Sequence, residues 1–134
     1  MGARVTLTGR VVKAGQAAGE ALVSREPISF LGGVNPETGM VIESGHELQG
    51  RSIAGKILVF PTGKGSTVGS FTLYRLARAG LAPAGIINAE SEAIVAVGAI
   101  ISEIPMVDQI DIGQIRSGDW VSLDQEQVII GHGE

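Results

Sequence analysis

One stretch of this sequence joins residue types that can do chemistry at a spacing that would let them do it: Phe60-Pro61-Thr62-Gly63-Lys64-Gly65-Ser66-Thr67-Val68-Gly69-Ser70. An apolar strand pattern runs into a Gly-Lys-Gly turn, and a helix is expected to open at Ser66 or Thr67. That order puts a hydroxyl among backbone N–H groups with no partner, at the positive end of a helix dipole. Anions bind such places, and the same field would stabilise a serine alkoxide, with Lys64 adding a nearby positive charge. A serine acting as a base needs this help, because a free hydroxyl is far too weak an acid. Two readings stand at this point. Ser is also a favoured N-cap, and the local pattern alone favours capping over catalysis. A nucleotide-binding P-loop is excluded, since position 58 is Leu where that motif needs Gly and Gly65 stands where it needs Ser or Thr.

The remaining chemically able residues are weaker candidates. Lys64 either meets a substrate anion or tunes Ser66, or it is an exposed turn lysine. His46, between Glu43 and Glu47, has the composition of a metal site but no spacing that fixes a geometry, and it reads as a surface histidine. His132 falls in the tail, where disorder is expected. Trp120 reads as core or interface. Arg75 and Arg78 share one side of the first helix, opposite a stripe of Gly69, Leu73, Leu76 and Ala77. Phe71 and Tyr74 lie on or beside the Arg side and suggest a partner surface.

The elements that must position these residues are legible in outline. Near-alternation of Val5, Leu7, Val11 and Val12 with polar residues predicts a half-buried strand, and Ala14–Gly19 predicts a turn before a short strand over Glu20–Ser24. Leu31–Met40 carries five turn formers and reads as a structured loop, Met40–Ile42 as a brief strand, and Glu43–Ser52 as a polar loop. Lys56–Phe60 and Ala84–Asn88 are apolar runs expected to be neighbouring parallel strands, joined by a helix that ends near Ala79. Glu92–Glu103 predicts a second helix, apolar nearly all round and so buried on several sides. Short strands are expected at Met106–Val107, Ile110–Ile112, Trp120–Leu123 and Gln127–Ile130, with a turn at Ser117-Gly118-Asp119. The sum is one compact α/β domain with a mixed sheet, spanning residues 1–134.

Composition narrows the function classes. With 44 % hydrophobic residues but only 4 % aromatics, the core must be built from Val, Ile, Leu and Ala. A net charge of −4 with no cationic cluster argues against a nucleic-acid partner. The longest apolar run, Ala93–Ile101, falls short of the ~18 residues of a membrane span. Zero cysteines leave no disulfide, no thiolate nucleophile and no thiolate ligand for an iron–sulfur cluster. Together with the lack of a signal peptide, this reads as cytoplasmic.

Gly63–Ser66 followed by Thr67 is similar to the Gly-x-Gly-Ser-Ser motif in the swivelling domain of aconitases. There the first Ser removes the substrate proton, so the resemblance implies that Ser66 is the catalytic base and that Thr67 takes the place of the second Ser. Val68 stands where aconitase has a substrate-binding Arg, which implies a different substrate. The likeness widens: Glu20–Ser24, Pro27–Val34, Gly39, Lys56–Ser70, Ala82–Ile87, Ile94–Ile101 and Ile104–Asp108 closely resemble the small subunit of aconitase X, over a span from about Gly9 to Val121. The resemblance implies a stand-alone swivelling β/β/α domain like the aconitase C-terminal domain. It also implies a large-subunit partner that carries an iron–sulfur cluster, a small hydroxy-acid substrate, and substrate contacts from Gly63, Lys64, Gly65 and Thr67. The chain alone is then expected to be folded, inactive and free of iron. Of two substrate branches, Gly63–Ser70 with Tyr74 and Asn88 looks like the one that dehydrates (R)-5-phosphomevalonate to trans-anhydromevalonate 5-phosphate in a modified mevalonate route to isoprenoids. The alternatives are the cis-3-hydroxyproline branch, a phosphohistidine-carrying swivelling domain, and a non-catalytic binding module.

Overall fold

The computed structural model describes residues 4–131; His132 lies outside them. Eight strands and two helices follow in the order β1 (Arg4–Thr8), β2 (Arg10–Lys13), β3 (Gln16–Val23), β4 (Ile57–Phe60), α1 (Gly69–Arg78), β5 (Gly85–Asn88), α2 (Ala93–Ile101), β6 (Met106–Asp108), β7 (Trp120–Asp124) and β8 (Gln127–Gly131). The sheet order is β1-β8-β7-β3-β4-β5-β6-β2. As expected, β4 and β5 are parallel neighbours, with Ile57 opposite Gly85 and Phe60 opposite Asn88, and α1 is the crossover between them.

All four residues of β4 are buried because the strand is covered on both faces. Alternation sends Leu58 and Phe60 into a cluster with Leu73, Leu76, Val95 and Ala99 of the helices. It sends Ile57 and Val59 the other way, against Val121, Leu123, Val128 and Ile130 of the β7–β8 hairpin. The chain thus forms three layers: an antiparallel arm, a parallel sheet and a helix pair.

β3 links the arm to the parallel sheet. Its residues Gln16–Glu20 pair antiparallel with β7, and Ala21–Val23 pair parallel with β4. This corrects the turn predicted over Ala14–Gly19, most of which is strand. The small residues there answer to packing: a Cβ on Gly19 would meet the Gly55 carbonyl at 3.0 Å, and a Cβ on Gly85 would come within 3.4 Å of that of Ala17. Ile110–Ile112 is likewise not a strand. Asp111 caps a single 3₁₀ turn at Ile112–Gln114, while Ile110 and Ile115 bury their side chains under the hairpin. Met40–Ile42 makes only isolated bridges, Val34 to Val41 and Met40 to Ser52.

Helix α2 departs from expectation in burial. Only Val95, Gly98 and Ala99 are buried, whereas Val97, Ile100 and Ile101 are exposed. The helix lies in an outer layer, where Gly98 lets it close on Leu73 and Ser70 of α1, and its far side is uncovered among the described residues. Trp120, on the outward side of β7, is 59 % exposed and is not a core residue.

The carboxyl ends of the parallel strands carry buried polar groups that fix the loops above them. Asn88 Nδ2 donates to the Phe60 and Ile87 carbonyls, tying down the point where the chain leaves β4 for the Gly-Lys-Gly turn. Asp108 accepts from Arg10 Nε at 3.0 Å, Arg10 Nη2 at 2.7 Å, Ser91 N at 3.1 Å and Ser91 Oγ at 2.6 Å. Burial pushes the Asp108 carboxyl up, but the bonds from Arg10 and Ser91 and the Arg10 charge together outweigh it and hold its pKa below the ordinary value. A carboxyl lowered in the folded state stabilises above its unfolded pKa and ceases to do so as pH falls through the folded value. Asp108→Ala should therefore cost about 2–3 kcal/mol near neutral pH, the scale of hydrogen bonds to a charged group. The difference from wild type should shrink below about pH 4, as read from urea melts across pH.

Candidate active site

The turn from Gly63 to Thr67 rises from the carboxyl end of β4, on the edge of parallel sheets where ligands characteristically bind. Two flanking segments hold it. A parallel bridge joins Gly63 to Ile28, with Ile28 N donating to Thr62 O at 3.3 Å and Lys64 N to Ile28 O at 3.0 Å. On the other side the first turn of α2 presses on Gly63. A Cβ there would sit 2.4 Å from Val95 Cγ2 and 2.6 Å from Glu92 Oε1, the carboxylate that caps α2 by accepting from Ile94 N and Val95 N. Gly63 is buried, and it seats the turn. Gly65 has φ +101°, and a Cβ on it would meet Ser29 Oγ at 2.5 Å, so both backbone conformation and space demand glycine.

Ser66 and Thr67 stand exposed at the apex. The helix begins later than its sequence pattern suggests: α1 opens at Gly69, and its N-cap is Val68, with no side-chain cap bond. Ser66 Oγ accepts from Val68 N at 3.2 Å in a local serine turn, so Ser66 is not the helix cap that the capping reading required. The start is displaced by two or three residues from the expected one, which leaves Ser66 outside the first turn of the helix and weakens the dipole field it feels. The amides of Gly65, Ser66 and Thr67, beside the hydroxyl along the chain, have no acceptor among the described residues. Thr67 O accepts from both N and Oγ of Ser70. Thr67 and Ser70 line a shallow, mostly apolar depression of about 180 Å³ with Ala93, Ile94 and Val97 of α2.

The other candidates fall into place around this turn. Lys64 Nζ is 3.0 Å from Glu43 Oε2 and does not bond Ser66. His46 is buried, which corrects its reading as a surface residue: Nδ1 accepts from Leu48 N at 3.1 Å, so Nε2 carries the proton given to Pro27 O at 3.1 Å. Among the described residues no three His, Cys, Asp or Glu side chains are placed to hold a metal. Tyr74 and Phe71 are exposed on α1, with the Arg78 guanidinium 6.0 Å from the Tyr74 ring centre. Glu43, His46 and Ser29 were missed as members of this neighbourhood. Only the fold brings Glu43 to Lys64 and Ser29 to Gly65, with His46 N bonded to the Glu43 carbonyl.

Residues 6–131 match the aconitase X swivel domain. The chain belongs to that family. It is 60 % identical over 123 residues to a Methanosarcina mazei protein named phosphomevalonate dehydratase small subunit, covering 90 % of this chain and 85 % of the other. It is 55 % identical over 120 residues to the Thermococcus kodakarensis protein of the same name, covering 90 % of each. The crystal structure of Thermococcus kodakaraensis aconitase X in its holo form matches with a TM-score of 0.92 at 53 % identity, over 94 % of this chain and 98 % of that one. The solution structure of a UPF0107 protein matches with a TM-score of 0.84 at 49 % identity, over 92 % and 97 %. The swivel-domain likeness read from the motif and its flanks is thereby borne out.

The seating of the turn has a mechanical consequence. Gly63→Ala should destabilise the fold by about 1–3 kcal/mol through overpacking under α2. Gly69→Ala, whose Cβ would make an ordinary 3.4 Å contact with Ile94 at the start of a helix, should change stability by less than about 1 kcal/mol. Thermal melts of the two variants check the contrast.

Proposed function

We propose that this chain is the small subunit of a two-subunit hydro-lyase that dehydrates (R)-5-phosphomevalonate, acting in the cytoplasm, and that Ser66 is its general base. The observation that carries the substrate is the run of relatives named phosphomevalonate dehydratase small subunit, 51–60 % identical over nine-tenths of this chain. Support for a large-subunit partner comes from that same naming and from the uncovered apolar side of α2. Val97 there lines the depression beside Thr67 of the apex, and Ile100 and Ile101 of α2, Val68 at the N-cap of α1 and Phe71 of α1 are exposed as well. Tyr74, Arg75 and Arg78 would extend this contact. A subunit seated on it would close over the exposed serine. The described residues contain no helix long and apolar enough to cross a membrane.

Dehydration of a β-hydroxy acid removes a carbon-bound proton beside the carboxylate and expels hydroxide. This chain's residues do not fit an iron–sulfur cluster, having no cysteine. The cluster implied by the family would belong to the large subunit, and the part derived for this chain is the proton step. Ser66 Oγ takes the proton; the amides of Gly65 to Thr67 hold negative charge at the apex, more effectively once the partner excludes water. Gly65 keeps the backbone close, and Lys64 supplies the cation for the substrate's phosphate or carboxylate.

In the reconstituted complex, Ser66→Ala should preserve folding, assembly and substrate binding but lower kcat by ~10²–10⁴-fold, with Thr67→Ala less harmful. Near wild-type kcat in Ser66→Ala would leave Ser66 a turn residue. Running wild type on phosphomevalonate and on cis-3-hydroxyproline tests the substrate: turnover of the second alone would refute the assignment. Val97→Asp should weaken co-purification with the large subunit without lowering the Tm of this chain. Unchanged co-purification would move the contact elsewhere.

A further inference from the structure

Lys64 is the one cation between Phe60 and Ser70, and the structure shows what holds it. The backbone that carries its partner Glu43 is anchored at Ile42 and at Glu43 itself. Ile42 N donates to Gly33 O at 2.9 Å, and Glu43 O accepts from His46 N at 3.2 Å. His46 in turn is buried, with both ring nitrogens bonded to fixed backbone at Pro27 and Leu48. The Glu43 carboxylate lies over Gly33, Oε1 being 3.4 Å from where a Cβ on that glycine would stand. Gly33 is itself closed against the Ser29 carbonyl, and a Cβ there would meet that oxygen at 2.1 Å. The same short segment that carries Ser29 also bridges Gly63 through Ile28 and abuts Gly65. Three stretches of backbone therefore converge, and the Lys64 side chain is the flexible link among them.

We propose that Glu43 is a positioning residue for Lys64. It holds one of the ammonium's three donors and leaves two for the substrate's anionic group. A lysine side chain is long and rotamer-rich, and a free one would lose that freedom on binding an anion. Pairing with an anchored carboxylate removes much of the freedom beforehand. The ion pair is only partly buried, with 46 % of the Lys64 side chain and 31 % of the Glu43 side chain exposed. Its effect is accordingly a modest one on binding and not on the chemical step. His46 belongs to the same device as the anchor of the turn that carries Glu43.

The inference rests on the substrate contact proposed for Lys64, and its test separates the two. Kinetics of the assembled complex are measured for wild type, Glu43→Ala, Glu43→Gln, Lys64→Ala and Lys64→Ala/Glu43→Ala, on whichever of phosphomevalonate and cis-3-hydroxyproline the wild type dehydrates. Lys64→Ala should raise KM by roughly 10-fold or more, as expected for losing a charge-assisted bond. Glu43→Ala should raise KM about 2–5-fold with kcat unchanged, and should add nothing in the Lys64→Ala background. Glu43→Gln, which keeps an acceptor oxygen, should recover part of the loss. A Glu43→Ala enzyme with unchanged or lowered KM overturns the inference alone, as does an equal effect with Lys64 already removed. A wild-type KM in Lys64→Ala overturns both the contact and the inference.

Discussion

Burial of β4 on both faces is the constraint from which the rest follows. Ile57, Leu58, Val59 and Phe60 are fully covered, and each contributes about 1.5–3 kcal/mol when removed from water. A strand in that position needs one layer on each side, which accounts for the β7–β8 hairpin on one and the α1–α2 pair on the other. It also has nowhere to go at its carboxyl end but out of the sheet. The chain leaves β4 at Phe60, pinned by Asn88, and turns at once through Gly63 and Gly65. The apex that bears Ser66 is therefore a direct product of how the core is layered.

The openness of the site comes from its surroundings. Ser66 and Thr67 are exposed, the amides beside them lack acceptors among the described residues, and the neighbouring side of α2 is apolar without a cover. An alkoxide in open water would gain little from a few amides, because solvent screens them. The same amides count for much more once a second surface excludes water, so under the proposed function one partner would cover both the exposed hydroxyl and the apolar side of α2. A fold with a rigid, doubly covered strand beneath such an apex can present it to that partner with little loss of order.

Much of this was legible in the sequence, for identifiable reasons. The apolar runs at Lys56–Phe60 and Ala84–Asn88 revealed the parallel pair because strands covered on both faces tolerate few polar residues. The Gly-Lys-Gly-Ser turn was legible through its unusual density of glycine. The Ala14–Gly19 segment misled because small residues serve close packing as well as turns, and only the sheet's neighbours reveal which. Helix α2 misled in the opposite direction: apolar character all round predicts burial, but it does not say whether the covering atoms belong to the same chain. His46 and Glu43 could not be placed, since a polar loop has no periodicity to report which of its side chains turn inward.

The central claim is that Ser66 meets the substrate's reacting carbon at a junction between this chain and a large subunit. The most direct measurement is a crystal structure of the assembled complex carrying Ser66→Ala, so that bound phosphomevalonate persists. The expected result is that the Cβ of the substituted residue faces the carbon beside the substrate carboxylate, with room for a serine oxygen about 3–3.5 Å from it, and that α2 is covered by the large subunit. A substrate bound with that carbon far from the substituted position, or an apex left facing solvent in the complex, would contradict it.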